Sequence, residues 1–237
     1  MNKIIFENDT LKIIQDKNVK SLYTMEFNYP SSVLLRSLTK TRLIKSGIIT
    51  NDYRTFRFKA LEIKSLQQYK EGQKPCKVSI TFAAKMVLSL CKQLNYLITN
   101  ERKTIIGYSP KNIIVIDGTP ILLDSEVIAD LDDIGTEYAT ISKPFLVKDF
   151  FCSPEMLAIK ELPAKVHYKT AYFSLGCLIL DALLTCDYNF YKEYLREMDS
   201  NKIHEYLDQL HFKGTKLYWL LSRCILKEPD KRCVLFI

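Results

Sequence analysis

Tyr108-Ser109-Pro110-Lys111-Asn112-Ile113-Ile114-Val115-Ile116-Asp117-Gly118-Thr119-Pro120-Ile121-Leu122-Leu123-Asp124 is the stretch around which the rest of the chain can be organised. Two apolar runs flank Asp117-Gly118, and Asp-Gly supplies the positive φ angles of a type I′ turn, so the spacing predicts a tight hairpin. If Ile116 pairs with Thr119, the register sets Asn112 opposite Leu123 and diagonal to Asp124. Both polar side chains then lie at the open end of the hairpin, within the roughly 7–8 Å diagonal reach of an antiparallel pair. An amide oxygen and a carboxylate so placed can share a Mg²⁺ held mostly by substrate phosphates and water. The structural alternative is that Asn112 bonds loop backbone and Asp124 ends a strand.

Working upstream, residues 79–100 carry Ala83, Met86, Val87, Leu90, Cys91, Leu94, Leu97 and Ile98 at helical spacing, which predicts a long helix with one face in a core. Residues 65–75 turn polar, with Glu71-Gly72-Gln73 as a boundary signal. Before them, the first thirty residues read as three short strands. Ser31 to Ser46 reads as a helix closed by Gly47, and strands are expected around Ile48–Ile49 and Arg54–Glu62. Downstream, residues 125–168 show little periodicity. Helices are expected over Lys169–Thr185, within Phe190–Leu210 and over Gly214–Leu226.

At 237 residues the chain is long enough for one large domain or two small lobes. Its 47% hydrophobic and 26% charged content excludes disordered, collagen-like and coiled-coil classes. A net charge of +7, from 34 basic and 27 acidic residues, is spread along the chain and reads as a solvated basic surface rather than a nucleic-acid arm. Seven cysteines without a Cys-x-x-Cys argue against zinc and against a disulfide framework. The most apolar stretch, Tyr172 to Leu184, is short and contains Asp181, so no membrane span is expected. The expectation is a reduced, intracellular protein, cytoplasmic or nuclear.

The order strands, helix, strands, helix, hairpin, loop, helices resembles the eukaryotic-type Ser/Thr protein-kinase fold, and several segments match its motifs in sequence. Ser109-Pro110-Lys111-Asn112 is similar to the second half of the catalytic loop, and Asp124 falls about where the metal-binding aspartate stands. Ser153-Pro154-Glu155 resembles the motif closing the activation segment. Ser174-Leu175-Gly176-Cys177 resembles the centre of the long central helix, and Cys224 to Arg232 the closing Leu-x-x-x-Pro-x-x-Arg. The resemblance implies an α+β, two-lobed fold: a small, mostly β lobe with one helix over 1–64 and a larger, mostly α lobe over 65–237. It also implies a buried ion pair between Glu155 and Arg232.

The chemistry the family needs is largely missing. The base position falls on Gly107, preceded by Ile105 and Ile106, and Ser109 replaces the catalytic-loop lysine. The strand Ser21–Phe27 holds no lysine, Lys20 being nearest, and the helix over 31–46 has no acid but carries Arg36, Lys40, Arg42 and Lys45. Glu7-Asn8-Asp9-Thr10 stands where a glycine-rich loop would cover phosphates. Ala171 occupies the position of the aspartate that would hydrogen-bond the catalytic loop, a loss that fits the loss of that loop's active residues.

The resemblance therefore implies a pseudokinase, a protein-binding or scaffolding module with no cofactor. Two alternatives stay open: an atypical active kinase using ATP and Mg²⁺ through Asn112 and Asp124, and an adaptor resembling only the large lobe. Candidate partner surfaces are the basic face with Arg36, Lys40 and Lys45, and an aromatic patch including Phe190 and Tyr191. The acidic run Asp130 to Asp133 reads as a solvated loop. Richness in Ile, Lys, Asn and Tyr is what an AT-rich genome gives, and a large DNA virus or a parasite is the expected source.

Overall fold

The computed structural model of the chain describes residues 3–132, 137–146, 150–185 and 200–234, and the protein is α+β. Strands β1 (Lys3–Glu7), β2 (Leu11–Gln15) and β3 (Leu22–Phe27) are followed by helix α1 (Ser32–Lys40) and by β4 (Gly47–Ile49) and β5 (Thr55–Lys59). The five strands form one antiparallel sheet in the order β1-β2-β3-β5-β4. Period-two alternation explains it: Tyr23, Met25, Phe27, Phe56 and Phe58 are buried on one face, while Arg57 and Lys59 point to solvent on the other.

Helix α1 stops at Lys40 rather than running to Ser46. The Thr41 hydroxyl returns to the Ser37 carbonyl, Arg42 takes a positive φ of 56°, and the amides of Leu43 and Ile44 bond back to Leu38. Ile44 remains buried although it has left the helix. Gly47 opens β4 instead of capping a helix, and a Cβ there would meet the Phe56 ring at 2.3 Å.

The chain crosses from a small core to a large one between Ile63, in β6 (Ile63–Ser65), and Leu66, the first residue of α2 (Leu66–Glu71). Helix α3 (Ile80–Glu101) starts where the Ser79 hydroxyl accepts the Phe82 amide and buries the predicted stripe. The hairpin β8 (Ile113–Ile116) and β9 (Thr119–Leu122) has the register read from its sequence, with Asp117 and Gly118 both at positive φ. Its two faces serve different cores: Ile113, Val115 and Leu122 pack in the large one, Ile114, Ile116, Ile121 and Leu123 in the small one. The hairpin therefore contributes side chains to both cores.

Short strands occupy the segment whose sequence shows little periodicity. β7 (Lys103–Ile105) pairs with β10 (Ile128–Asp130), and β11 (Tyr138–Ile141) with β12 (Ala164–His167). Three or four residues are too few to display a period. The large core is completed by α4 (Pro154–Leu157), the almost wholly buried α5 (Thr170–Leu183), α6 (Ser200–Gln209) and α7 (Lys216–Cys224). Phe190 and Tyr191 lie outside the described residues. Cys76 is disulfide-bonded, which corrects the expectation of a fully reduced chain, because linear spacing says nothing about cysteines that meet only in the fold. No helix among the described residues is long and apolar enough to cross a membrane.

Candidate functional site

The turn between β1 and β2 descends onto the open end of the hairpin. Asn8 Oδ1 accepts the Thr10 amide at 3.0 Å, the Leu11 amide at 2.9 Å and the Thr10 hydroxyl at 2.9 Å. With that oxygen saturated, Nδ2 faces outward and donates to Asn112 Oδ1 at 3.2 Å. Asn112 Nδ2 then donates to Asp124 Oδ2, and the Glu126 amide donates to Asp124 Oδ1 at 2.8 Å. The structure thus brings together the two residues singled out in the sequence, but it spends each on the other. For both to hold a cation, Asn112 would have to turn its amide over and release Asn8. Asp124 is 5% exposed, and burial pushes its carboxyl up to about 6, against the opposing pull of the Glu126 and Val127 amides and Asn112.

At Gly107, where the resemblance implies a catalytic base, the space is filled. Phe150 lies with its ring against Gly107, so that a Cβ there would stand 1.8 Å from Cδ2 and 2.4 Å from Cγ. Glycine is required because the ring occupies the volume any side chain would need. The neighbouring backbone is held from both sides: the Phe151 amide donates to the Tyr108 carbonyl at 3.0 Å, and the Tyr108 amide donates to Ser174 Oγ at 2.6 Å. Ser174 stands about one helical turn beyond Ala171 on α5. The backbone at Tyr108 is therefore anchored by Ser174 and Phe151.

A second set of contacts closes the link between the cores. Asp117 Oδ1 accepts the amides of Leu61 at 2.7 Å and Glu62 at 2.9 Å, and the Asp117 amide returns to the Glu62 carbonyl at 3.0 Å. Arg36 also bridges the cores, through a bidentate pair from Nε and Nη2 to the Glu101 carboxylate, both at 2.7 Å. Tyr96 donates to the same carboxylate at 3.0 Å, and the Arg36 hydrogen bonds hold the Glu101 carboxyl below its ordinary value. Arg36 is thereby paired with Glu101 while its side chain stays 37% exposed, and Lys40 and Lys45 stand exposed. Sequence inspection missed this because the two residues are 65 positions apart.

Glu155 and Arg232 meet bidentately, Nη1 to Oε1 at 2.5 Å and Nη2 to Oε2 at 2.8 Å, with the Arg232 side chain fully buried and Glu155 one-fifth exposed. A cavity of about 250 Å³ lies beside the pair, lined in part by Glu155, Lys165, His167 and Asp230. His167 is engaged on both nitrogens, with Nε2 against Glu137 at 3.2 Å and Nδ1 accepting the Lys169 amide at 3.1 Å. It therefore offers no free base to the cavity. In the acidic run, Asp130 pairs with Lys103, and Asp132 takes the Thr140 hydroxyl and Lys165, so these carboxylates are neutralised locally. Among the described residues no three His, Cys, Asp or Glu side chains are grouped to hold a metal ion.

Sequence inspection assigned Asn8, Asp117, Phe150 and Ser174 no part in these contacts. Asn-x-Thr in a turn was a usable signal for Asn8, and Asp117 was read only as a turn residue; nothing local marks Phe150. No protein-family model matches this chain, and no curated protein aligns significantly with it.

Proposed function

We propose that this chain is a catalytically inactive module of protein-kinase-like, two-lobed design that works by binding other proteins. The observation that carries the reading is the Phe150 ring on Gly107: the volume a catalytic carboxylate would need is taken by an aromatic side chain. The Asn8–Asn112–Asp124 chain supports it, since the turn that would lie over nucleotide phosphates is bonded to the residues that would hold their metal. The five-stranded sheet with one helix over residues 3–59 favours this reading over an adaptor resembling the large lobe alone. The buried Glu155–Arg232 pair is what the resemblance implies for the architecture.

The active-kinase alternative draws on the contact between Asn112 and Asp124, takes its base from elsewhere, and requires Asn112 to turn its amide over. One experiment separates the two: melting curves with and without ATP and Mg²⁺, beside a labelled-phosphate transfer assay. A nucleotide at a hundred times its Kd would add about 2.7 kcal/mol of stability. The expected results are unchanged melting and no incorporation. Mg²⁺-dependent stabilisation together with incorporation abolished in Asp124→Asn would replace this reading by the active one.

A further inference from the structure

The only tryptophan in the chain, Trp219, is 53% exposed on α7. Helix α7 is otherwise a core helix, with Leu217, Leu220 and Leu221 buried. On its outer side Lys216, Trp219 and Arg223 fall at i, i+3 and i+7, which sets all three on one face. Lys216 is exposed, Arg223 half-buried, and neither has a hydrogen-bond or ion-pair partner among the described residues. Trp219 has an aromatic neighbour of its own. Its ring packs edge-on to Tyr218 at 5.0 Å between centroids, and the Tyr218 hydroxyl is fixed by Asp208 Oδ1 at 2.6 Å.

We propose that this face of α7 is a docking surface for an acidic protein segment that sets an apolar side chain against Trp219 and carboxylates against Lys216 and Arg223. Charge complementarity selects the occupant: two cations without a partner among the described residues flank the ring on a chain of net charge +7. Trp and Arg are among the side chains that most often dominate binding energy. A lipid surface fits less well, because a membrane-lying helix needs a broad apolar face and the leucines of α7 are turned into the core. A phosphate backbone needs a continuous basic track, and Glu228 and Asp230 interrupt the basic residues just beyond the helix.

The surface deepens the proposed function, resting on it only for the idea that binding is the chain's work; the titration below is read independently of any nucleotide or phosphate-transfer result. The probe is a peptide of repeated Glu-Glu-Leu units added to the full chain. Trp219 emission reports its own site, and anisotropy of the labelled peptide reports binding independently. The expected result is saturable binding with a blue shift, weakened at least about tenfold by raised salt and by the Lys216→Glu/Arg223→Glu double variant. Trp219→Ala, read by anisotropy, should lose binding to a similar extent, with melting curves of all variants unchanged. Silence of both signals overturns the proposal, as does binding that survives the charge reversal. Equal or tighter binding to phosphatidylserine vesicles, or to a single-stranded oligonucleotide of matched charge, overturns the choice of partner.

Discussion

Breaking the Glu155–Arg232 pair should be costly, and unequally so from its two sides. All five N–H donors of Arg232 are used: Nε to the Leu226 carbonyl at 2.7 Å, Nη2 to the Lys227 carbonyl and Glu155 at 2.8 Å each, and Nη1 to Glu155 at 2.5 Å and the Lys169 carbonyl at 3.4 Å. The guanidinium also lies 5.0 Å from the centre of the Phe173 ring. Glu155→Ala leaves this cation fully buried with dipoles around it but no counter-charge. Removing one partner of a buried pair costs about 3–5 kcal/mol, and this variant should fall at the upper end. Arg232→Ala leaves a carboxylate that is already one-fifth exposed beside a cavity of about 250 Å³, where water can take over part of its solvation. Its cost should be smaller on the charge side but includes three carbonyls that lose their donor. Arg232→Lys should not rescue, because one ammonium cannot reproduce a planar five-donor fork. Against a domain stability of about 5–15 kcal/mol, each single change removes a large share. Urea unfolding followed by circular dichroism measures all three variants and the double alanine. The double should cost less than the sum of the singles by more than about 1 kcal/mol. Additive costs, or single changes each below about 1 kcal/mol, would refute a tightly coupled buried pair.

Gly107→Asp should restore no phosphate transfer and should destabilise the fold by at least the roughly 1–3 kcal/mol of an overpacked core, because its Cβ collides with Phe150; a Phe150→Ala background should relieve most of that clash, as melting curves would register. Asp124 gives a pH dependence of defined sign. Its folded carboxyl titrates near 6 against an ordinary 3.8, so between those values the unfolded chain is ionised and the native one is not. Stability from this residue is therefore fully present below pH 3.8 and is lost as pH rises toward 6, by at most about 1.4 kcal/mol per pH unit. Asp124→Asn should flatten that slope in denaturation series, and an unchanged slope would assign it elsewhere. Asp117→Ala removes the acceptor of the Leu61 and Glu62 amides and should cost about 1–2 kcal/mol, with hydrogen exchange accelerated at those two amides first.

Local chemistry carried a large part of this fold. Asp117-Gly118 between β-branched runs defined the hairpin to the exact register, the i, i+3, i+4 pattern of residues 79–100 defined α3, and alternation defined the strands of the sheet. These features depend on residues a few positions apart, whose side chains share a face whatever the rest of the chain does. The same reasoning misjudged the end of α1, where a threonine hydroxyl and a positive φ stopped a pattern that continued in apolar spacing alone. It also passed over the short strands of residues 128–130, 138–141 and 164–167, which are formed by pairing and not by propensity. What the candidate site can do was decided by tertiary contacts. The sequence showed glycine at position 107; only the packing showed that Phe150 fills its place. Asn112 and Asp124 were placed side by side by the register, but whether they face an open cleft or bond to each other depended on Asn8, 104 positions away from Asn112. Arg36 read as surface charge until Glu101 closed on it. A side chain's type is written in the sequence, but its partner is selected by burial: groups removed from water must find hydrogen bonds or counter-charges among whatever the fold brings near, however distant along the chain.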